Sequence, residues 1–189
     1  MDCASYNQQT FKETLHEIRA LTDELPEVFM PKLQELCAKA GVAVIFVPEA
    51  PKSRVSGATM WKGQTPLIML SFKYKKNDHF WFTFFHEAGH IIKHSEKMTF
   101  LEFKGHENDH EEEANHFSAN LLIPSAAYRK FVSEGSFNKE HVIQFAEEVG
   151  VGPGIVVGRL QHDMHLPFNS PLNKLKKSYE FTEEQEVNA

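Results

Sequence analysis

Phe84-Phe85-His86-Glu87-Ala88-Gly89-His90-Ile91-Ile92-Lys93-His94 (FFHEAGHIIKH, residues 84–94) sets two imidazoles four positions apart, with a carboxylate beside the first. Phe80, Trp81, Phe84, Phe85, Ile91 and Ile92 nearly surround this segment with apolar side chains, so the spacing predicts a buried helix from about 79 to 94. Asn77 and Asp78 precede it as capping residues. On a helix, positions i and i+4 share a face, so His86 and His90 can aim ring nitrogens at one point. Three polar side chains on an otherwise apolar helix are costly to bury unless something satisfies them, and a divalent metal does so. Zinc takes imidazole nitrogen in tetrahedral sites, and a catalytic site uses three protein ligands and leaves the fourth position to water. Glu87 then stands close enough to that water to act as general base without being a ligand, which is why H-E-x-x-H on a helix marks metallopeptidase chemistry. Gly89 has a packing meaning. An interior helix glycine costs about 1 kcal/mol relative to alanine, which fits a neighbouring segment approaching closely.

The third ligand must come from elsewhere. A histidine ten positions after His86 would have to occupy position 96, which is Glu96, and position 93 is Lys93 rather than glycine, so the metzincin pattern is excluded. His94 lies one turn beyond His90, and three ligands in a straight line on one helix close poorly around one ion. Glu111, Glu112 and Glu113 lead the next helical segment, "EEEANHFSANLLIP". Glu113 aligns with Phe117 and Leu121, the apolar stripe that should face the core, and is the expected third ligand. Glu112 points nearer to His116 and Ala119, and an acidic run at a helix start is also stabilised simply by the macrodipole. His106, His110 and His116 are read as loop or surface residues. Tyr128, Arg129 and His116 are equal candidates for stabilising an oxyanion.

Outward from this centre the chain reads as α+β. Two amphipathic helices open it ("TFKETLHEIRALTDEL" and "MPKLQELCAKAG"), and three short strands follow in "VAVIFVP" and "GATMWKGQTPLIMLS". The expected architecture is a small antiparallel sheet packed on the buried active-site helix, with a mainly helical C-terminal part. "FLEFKGHENDH" has little periodicity and reads as a loop. "AAYRKFVSEG", "NKEHVIQFAEEVG" and "GPGIVVGRLQHDMH" read as helices, the last two with a helix-turn-helix outline. The expected division is a metallopeptidase core over 1–124, a helical subdomain over 125–181 and a flexible tail over 182–189.

The chain has 189 residues, 41% hydrophobic and 12% aromatic, enough for a real core. No apolar run approaches the ~18 residues of a membrane span, and residues 1–10 do not resemble a signal peptide, so the expectation is a soluble cytoplasmic protein without membrane contact. Cys3 and Cys37 are too few for a disulfide framework and read as free thiols. Eleven histidines, six of them between His79 and His110, are unusual at this length and concentrate around the motif. The net charge of −6 argues against non-specific nucleic-acid binding. From Ser125 to Lys177 seven Lys/Arg meet five Asp/Glu, and only Arg159 falls in the helix a groove would receive, so direct nucleic-acid contact is not expected.

"FWFTFFHEAGHIIKH", "EEEANHFSANLLIP" and "GIVVGRLQHDMHLPFNSPLNKLKK" together resemble the ImmA/IrrE-type zinc metallopeptidases, over roughly residues 10 to 180. The resemblance implies a zincin-like fold with His86, His90 and Glu113 as ligands of Zn2+, Mn2+ being the other candidate ion, and Glu87 as catalytic acid/base. It covers the peptidase part, without the helix-turn-helix domain that precedes it in many relatives. It implies a protein partner, either a repressor of the helix-turn-helix class or a cognate toxin, and hence a regulatory endopeptidase. The alternative it leaves open is an antitoxin-like binding module that sequesters its partner without proteolysis.

Overall fold

The computed structural model describes residues 3–48, 56–71, 76–94 and 103–179, with the side chains of 103–108 excepted. The tail expected over 182–189 lies outside them. Helix α1 (Gln8–Arg19) is capped by Asn7, whose side chain accepts from the Thr10 N–H, and buries Phe11, Leu15 and Ile18. Helix α2 (Pro26–Lys39) begins a turn earlier than its periodicity suggests. Pro26 fits the first turn, and Pro31 is accommodated inside. The chain leaves α2 through Gly41, whose φ of 82° and close approach to the Tyr6 backbone no larger residue would tolerate.

Strands β1 (Ala43–Phe46), β2 (Gly57–Lys62) and β3 (Thr65–Leu70) form one sheet in the order β1-β3-β2. The β2–β3 pair is the antiparallel hairpin expected from the Gly63-Gln64 turn, with Gly63 at φ 63°. β1, however, pairs with β3 in parallel, Ala43 opposite Leu67 and Phe46 opposite Leu70. The sheet is therefore mixed rather than antiparallel, with β3 between β1 and β2, and apolar patterning carries no signal for that order.

Helix α3 (Asn77–Lys93) crosses this sheet and is the core of the molecule, with Phe80, Trp81, Phe84, Phe85, Ala88, Gly89, Ile91 and Ile92 all buried. Lys76, not Asn77 or Asp78, is its N-cap residue; Asn77 and Asp78 are the first helical residues and face the C-terminal segment. Trp81 Nε1 donates to Tyr179 Oη at 3.1 Å, and Tyr179 in turn donates to the Glu24 carbonyl at 3.1 Å. These bonds tie the helix to Tyr179, at the end of the described chain, and through it to the turn that precedes α2.

Helix α4 (Phe103–Leu122) packs along α3. It starts well before the acidic run, so residues 103–110, expected as loop, are helical, and Pro124 closes the segment as expected by becoming the N-cap of α5 (Ser125–Glu134). Ser118 Oγ donates to the Phe82 carbonyl at 2.9 Å, joining the two helices directly. Helices α6 (Lys139–Val149) and α7 (Pro153–His162) follow, separated by Gly150 in the left-handed region. Arg19 ties this part to the rest by donating to the Leu122 carbonyl at 3.0 Å and to that of Val149, thereby capping two helix C-termini.

α7, the second helix of the helix-turn-helix outline, is not presented outward. Ile155, Val156, Val157 and Leu160 are buried, and the helix packs against α3. Gly154 and Gly158 make the approach possible: a Cβ at either would lie 2.5 Å from a side-chain oxygen, Asn77 Oδ1 or Asp78 Oδ2. Among the described residues no helix is long and apolar enough to cross a membrane.

Candidate metal centre

Two adjacent helices build the site. His86 and His90, one turn apart on α3, bring their Nε2 atoms within 3.0 Å of each other. From the α4 side Glu111 closes the group: Oε2 lies 3.2 Å from His86 Nε2 and Oε1 3.2 Å from His90 Nε2. These three residues present ligand atoms all within 4.8 Å of one another. Two nitrogens bound to one tetrahedral zinc at about 2.05 Å stand roughly 3.3 Å apart, so the observed spacing fits such an ion. Its donor set, two imidazoles and a carboxylate, is that of a three-ligand catalytic zinc centre.

Glu113, the carboxylate expected here, points elsewhere. Its Oε2 lies 3.1 Å from His94 Nε2, and the side chain borders a separate open cavity with His16, Arg19 and His116. The physical reason is the α3–α4 contact itself. The α4 face turned toward α3 carries Ala114 and Ser118, both fully buried, whereas Phe117 and Leu121 are only partly so. A Cβ at Gly89 would sit 3.2 Å from Ala114 Cα and 3.1 Å from Phe117 Cδ1. The helices are too close for large residues to define the interface, so the small-residue stripe does, and Glu111 lies three residues before Ala114 on that stripe. Gly89 thus has the role expected of it, and with the helices this close Glu111 rather than Glu113 lies beside the two imidazoles.

Each imidazole has a further partner. His86 Nδ1 lies 2.9 Å from Asn115 Oδ1. An amide oxygen only accepts, so Nδ1 carries the proton and Nε2 keeps its lone pair for the site. The Phe82 ring lies alongside His86, with centroids 6.3 Å apart and planes 29° from parallel. His90 Nδ1 lies 3.1 Å from His94 Nδ1. Burial first, and then the neighbouring His86, push the pKa of His90 down to about 4, so its ring is neutral at pH 7.

Glu87 faces the sheet side of α3 and is buried. Thr59, on edge strand β2, donates from Oγ1 to Glu87 Oε2 at 2.7 Å. Burial raises the Glu87 pKa above the usual carboxylate range, and the Thr59 hydrogen bond opposes the rise. Gly57 lets β2 come this close, since a Cβ there would lie 2.5 Å from Thr83 Cγ2 and 3.1 Å from Glu87 Oε1.

A family comparison matches residues 37–161 to the peptidase family of the IrrE N-terminal-like domain. The chain belongs to that family. Membership makes it a zincin-like metallopeptidase domain and implies a bound metal, for which the His-His-Glu group is the candidate site. No curated protein matches the chain. The family match covers α3, α4 and all three strands, so every residue of the site falls within it.

Of the three oxyanion candidates, His116 lines a cavity of about 490 Å³ whose border includes Asn115 and Phe82, the two residues that contact the His86 ring. Tyr128 is turned into the helical part, under the Arg159 guanidinium at 4.8 Å from its ring centre. Arg129 is exposed on α5. Thr59 and Asn115 escaped the sequence reading. Asn115 lies four residues after Glu111 and so shares its face of α4, a spacing the sequence carries, whereas the place of Thr59 depends on which strand lies at the sheet edge.

Proposed function

We propose that the protein is a zinc-dependent endopeptidase of regulatory type, with His86, His90 and Glu111 as metal ligands and Glu87 as general base. The observation that carries this reading is the convergence of two imidazole Nε2 atoms and one carboxylate from two helices within hydrogen-bond distance of one another. Such a group supplies three ligands and leaves room for solvent. A zinc ion held there would supply Lewis acidity toward a peptide carbonyl and acidify water toward a pKa of ~7.

The chain's own residues do the rest. Glu87 takes the proton of the attacking water on the oxygen that Thr59 does not occupy and passes it to the leaving amine. Its burial keeps competing solvent away and raises its basicity toward that task. His116, at the cavity beside His86, is the best placed of the three candidates to donate to the oxyanion. The same cavity is floored by Phe82, Leu122 and Ile155, which suits an apolar substrate side chain next to the scissile bond. The physiological substrate on this reading is a single partner protein, a helix-turn-helix repressor or a cognate toxin.

The test is Glu87→Gln in the full chain, incubated with the product of a neighbouring repressor or toxin gene. The variant should keep its metal and lose cleavage, and a chelator should silence the wild type. Full turnover by the variant would reject the general base. Partner binding without cleavage by the metal-loaded wild type would favour a sequestering module instead.

A further inference from the structure

His94 and Glu113 are close to the centre but do not enter it, and their hydrogen bonds form a directed chain. Glu113 Oε2 lies 3.1 Å from His94 Nε2, and His94 Nδ1 lies 3.1 Å from His90 Nδ1. A carboxylate oxygen accepts, so His94 Nε2 carries the proton of this hydrogen bond to Glu113. A neutral imidazole holds one proton, which leaves His94 Nδ1 a bare acceptor. His90 Nδ1 must then be the donor, and His90 Nε2, the atom facing His86 and Glu111, retains its lone pair. The His94 ring is held in register by the His110 ring stacked on it at 4.1 Å, and its side chain is only 7% exposed.

We propose that Glu113 and His94 are positioning residues that fix the tautomer of His90 through two successive hydrogen bonds, so that the site is preset to receive a cation before one arrives. His86 is set the same way by a single residue, Asn115. The two α3 imidazoles thus have separate supports from α4, one through an amide and one through a second imidazole and a carboxylate. The role in metal binding rests on the metal-site reading above; the tautomer of His90 does not.

The experiment has two readouts on the full chain. In metal-free protein with nitrogen-15-labelled histidine, long-range proton–nitrogen spectra at neutral pH should show His90 protonated on Nδ1. Glu113→Ala and His94→Leu should each move part of that population to Nε2. His94→Asn places an amide oxygen near the former Nδ1, so it should keep the wild-type tautomer, and adding Glu113→Ala to it should change nothing further. Zinc dissociation constants, measured by competition with a chromophoric chelator, should rise about 10- to 100-fold in Glu113→Ala and in His94→Leu while one ion per chain is still bound. The double variant should bind no worse than His94→Leu alone.

An unchanged His90 tautomer in Glu113→Ala overturns the relay. So does complete loss of zinc in that variant, which would make Glu113 a ligand. If wild type binds no zinc while the tautomer shifts as described, the relay stands and the zinc reading falls. Glu113 is exposed, so its replacement leaves the core intact even if His94→Leu does not fold.

Discussion

Thr59 on edge strand β2 donates to Oε2 of Glu87 at 2.7 Å, a bond from the sheet to the helix that holds the proposed base in one orientation. A hydrogen bond to a charged group contributes about 1.5–3 kcal/mol, which corresponds to roughly 10- to 100-fold in rate when the oriented group acts in the transition state. Thr59→Val should lower kcat by about that factor with KM and bound metal little changed. Thr59→Ser should recover most of the loss. Equal activity in the valine variant would mean that packing alone orients Glu87.

Glu111 and Glu113 are two residues apart, yet only Glu111 meets both imidazoles. Glu111→Ala should therefore lose stoichiometric zinc on dialysis, while Glu113→Ala keeps it with weakened affinity. Metal analysis of the two purified variants against wild type decides the matter. The reverse order would restore Glu113 as the ligand that the larger apolar stripe of α4 pointed to.

The motif, the buried helix carrying it and the two flanking helical regions are legible in the sequence because each is a local pattern of period 3.6 read over many residues. What is not legible is pairwise and distant. The parallel pairing of β1 with β3 is a choice of strand order and direction that no local pattern encodes. The choice of Glu111 over Glu113 depends on how closely two helices approach. Gly89 signals a close neighbour, and a close neighbour must itself present small residues, so Ala114 and Ser118 are the fully buried residues of the facing stripe while Phe117 and Leu121 lie at its margin. The helix-turn-helix outline is a similar case, because the periodicity of α7 predicts an apolar face but not that α3 covers it.

The Gly89–Ala114 contact makes a graded prediction. Alanine at 89 would gain about 1 kcal/mol in helix propensity, but its Cβ would lie 3.2 Å from the Ala114 Cα and 3.1 Å from Phe117 Cδ1. The ring can shift and the backbone yields little, so Gly89→Ala should be close to neutral in urea denaturation. Gly89→Val forces the helices apart and should cost about 1–3 kcal/mol. It should also weaken zinc, since separation withdraws Glu111 from the α3 imidazoles. A destabilised valine variant with unchanged zinc affinity would show that the α4 carboxylate is positioned independently of this contact.

Asp78, in the first turn of α3, pairs with Lys176 at 2.6 Å, and the same ammonium donates to Gln161 Oε1 at 2.7 Å. Both charged side chains are about nine-tenths buried, at 9% and 10% exposure, so the pair lies largely out of water. Removing one partner leaves the other uncompensated, whereas removing both costs much less. Lys176→Met should destabilise the fold by about 3–5 kcal/mol. Asp78→Asn combined with Lys176→Met should recover part of that, giving a coupling energy of the same sign in a double-mutant cycle. The backbone of Lys177 also bonds Asn77, and Gly158 packs on Asp78, so the loss should appear as a lower midpoint of global unfolding rather than as a loosened C-terminal segment alone. A double variant no more stable than Lys176→Met would mean that Lys176 acts through its contact with Gln161 and not through Asp78.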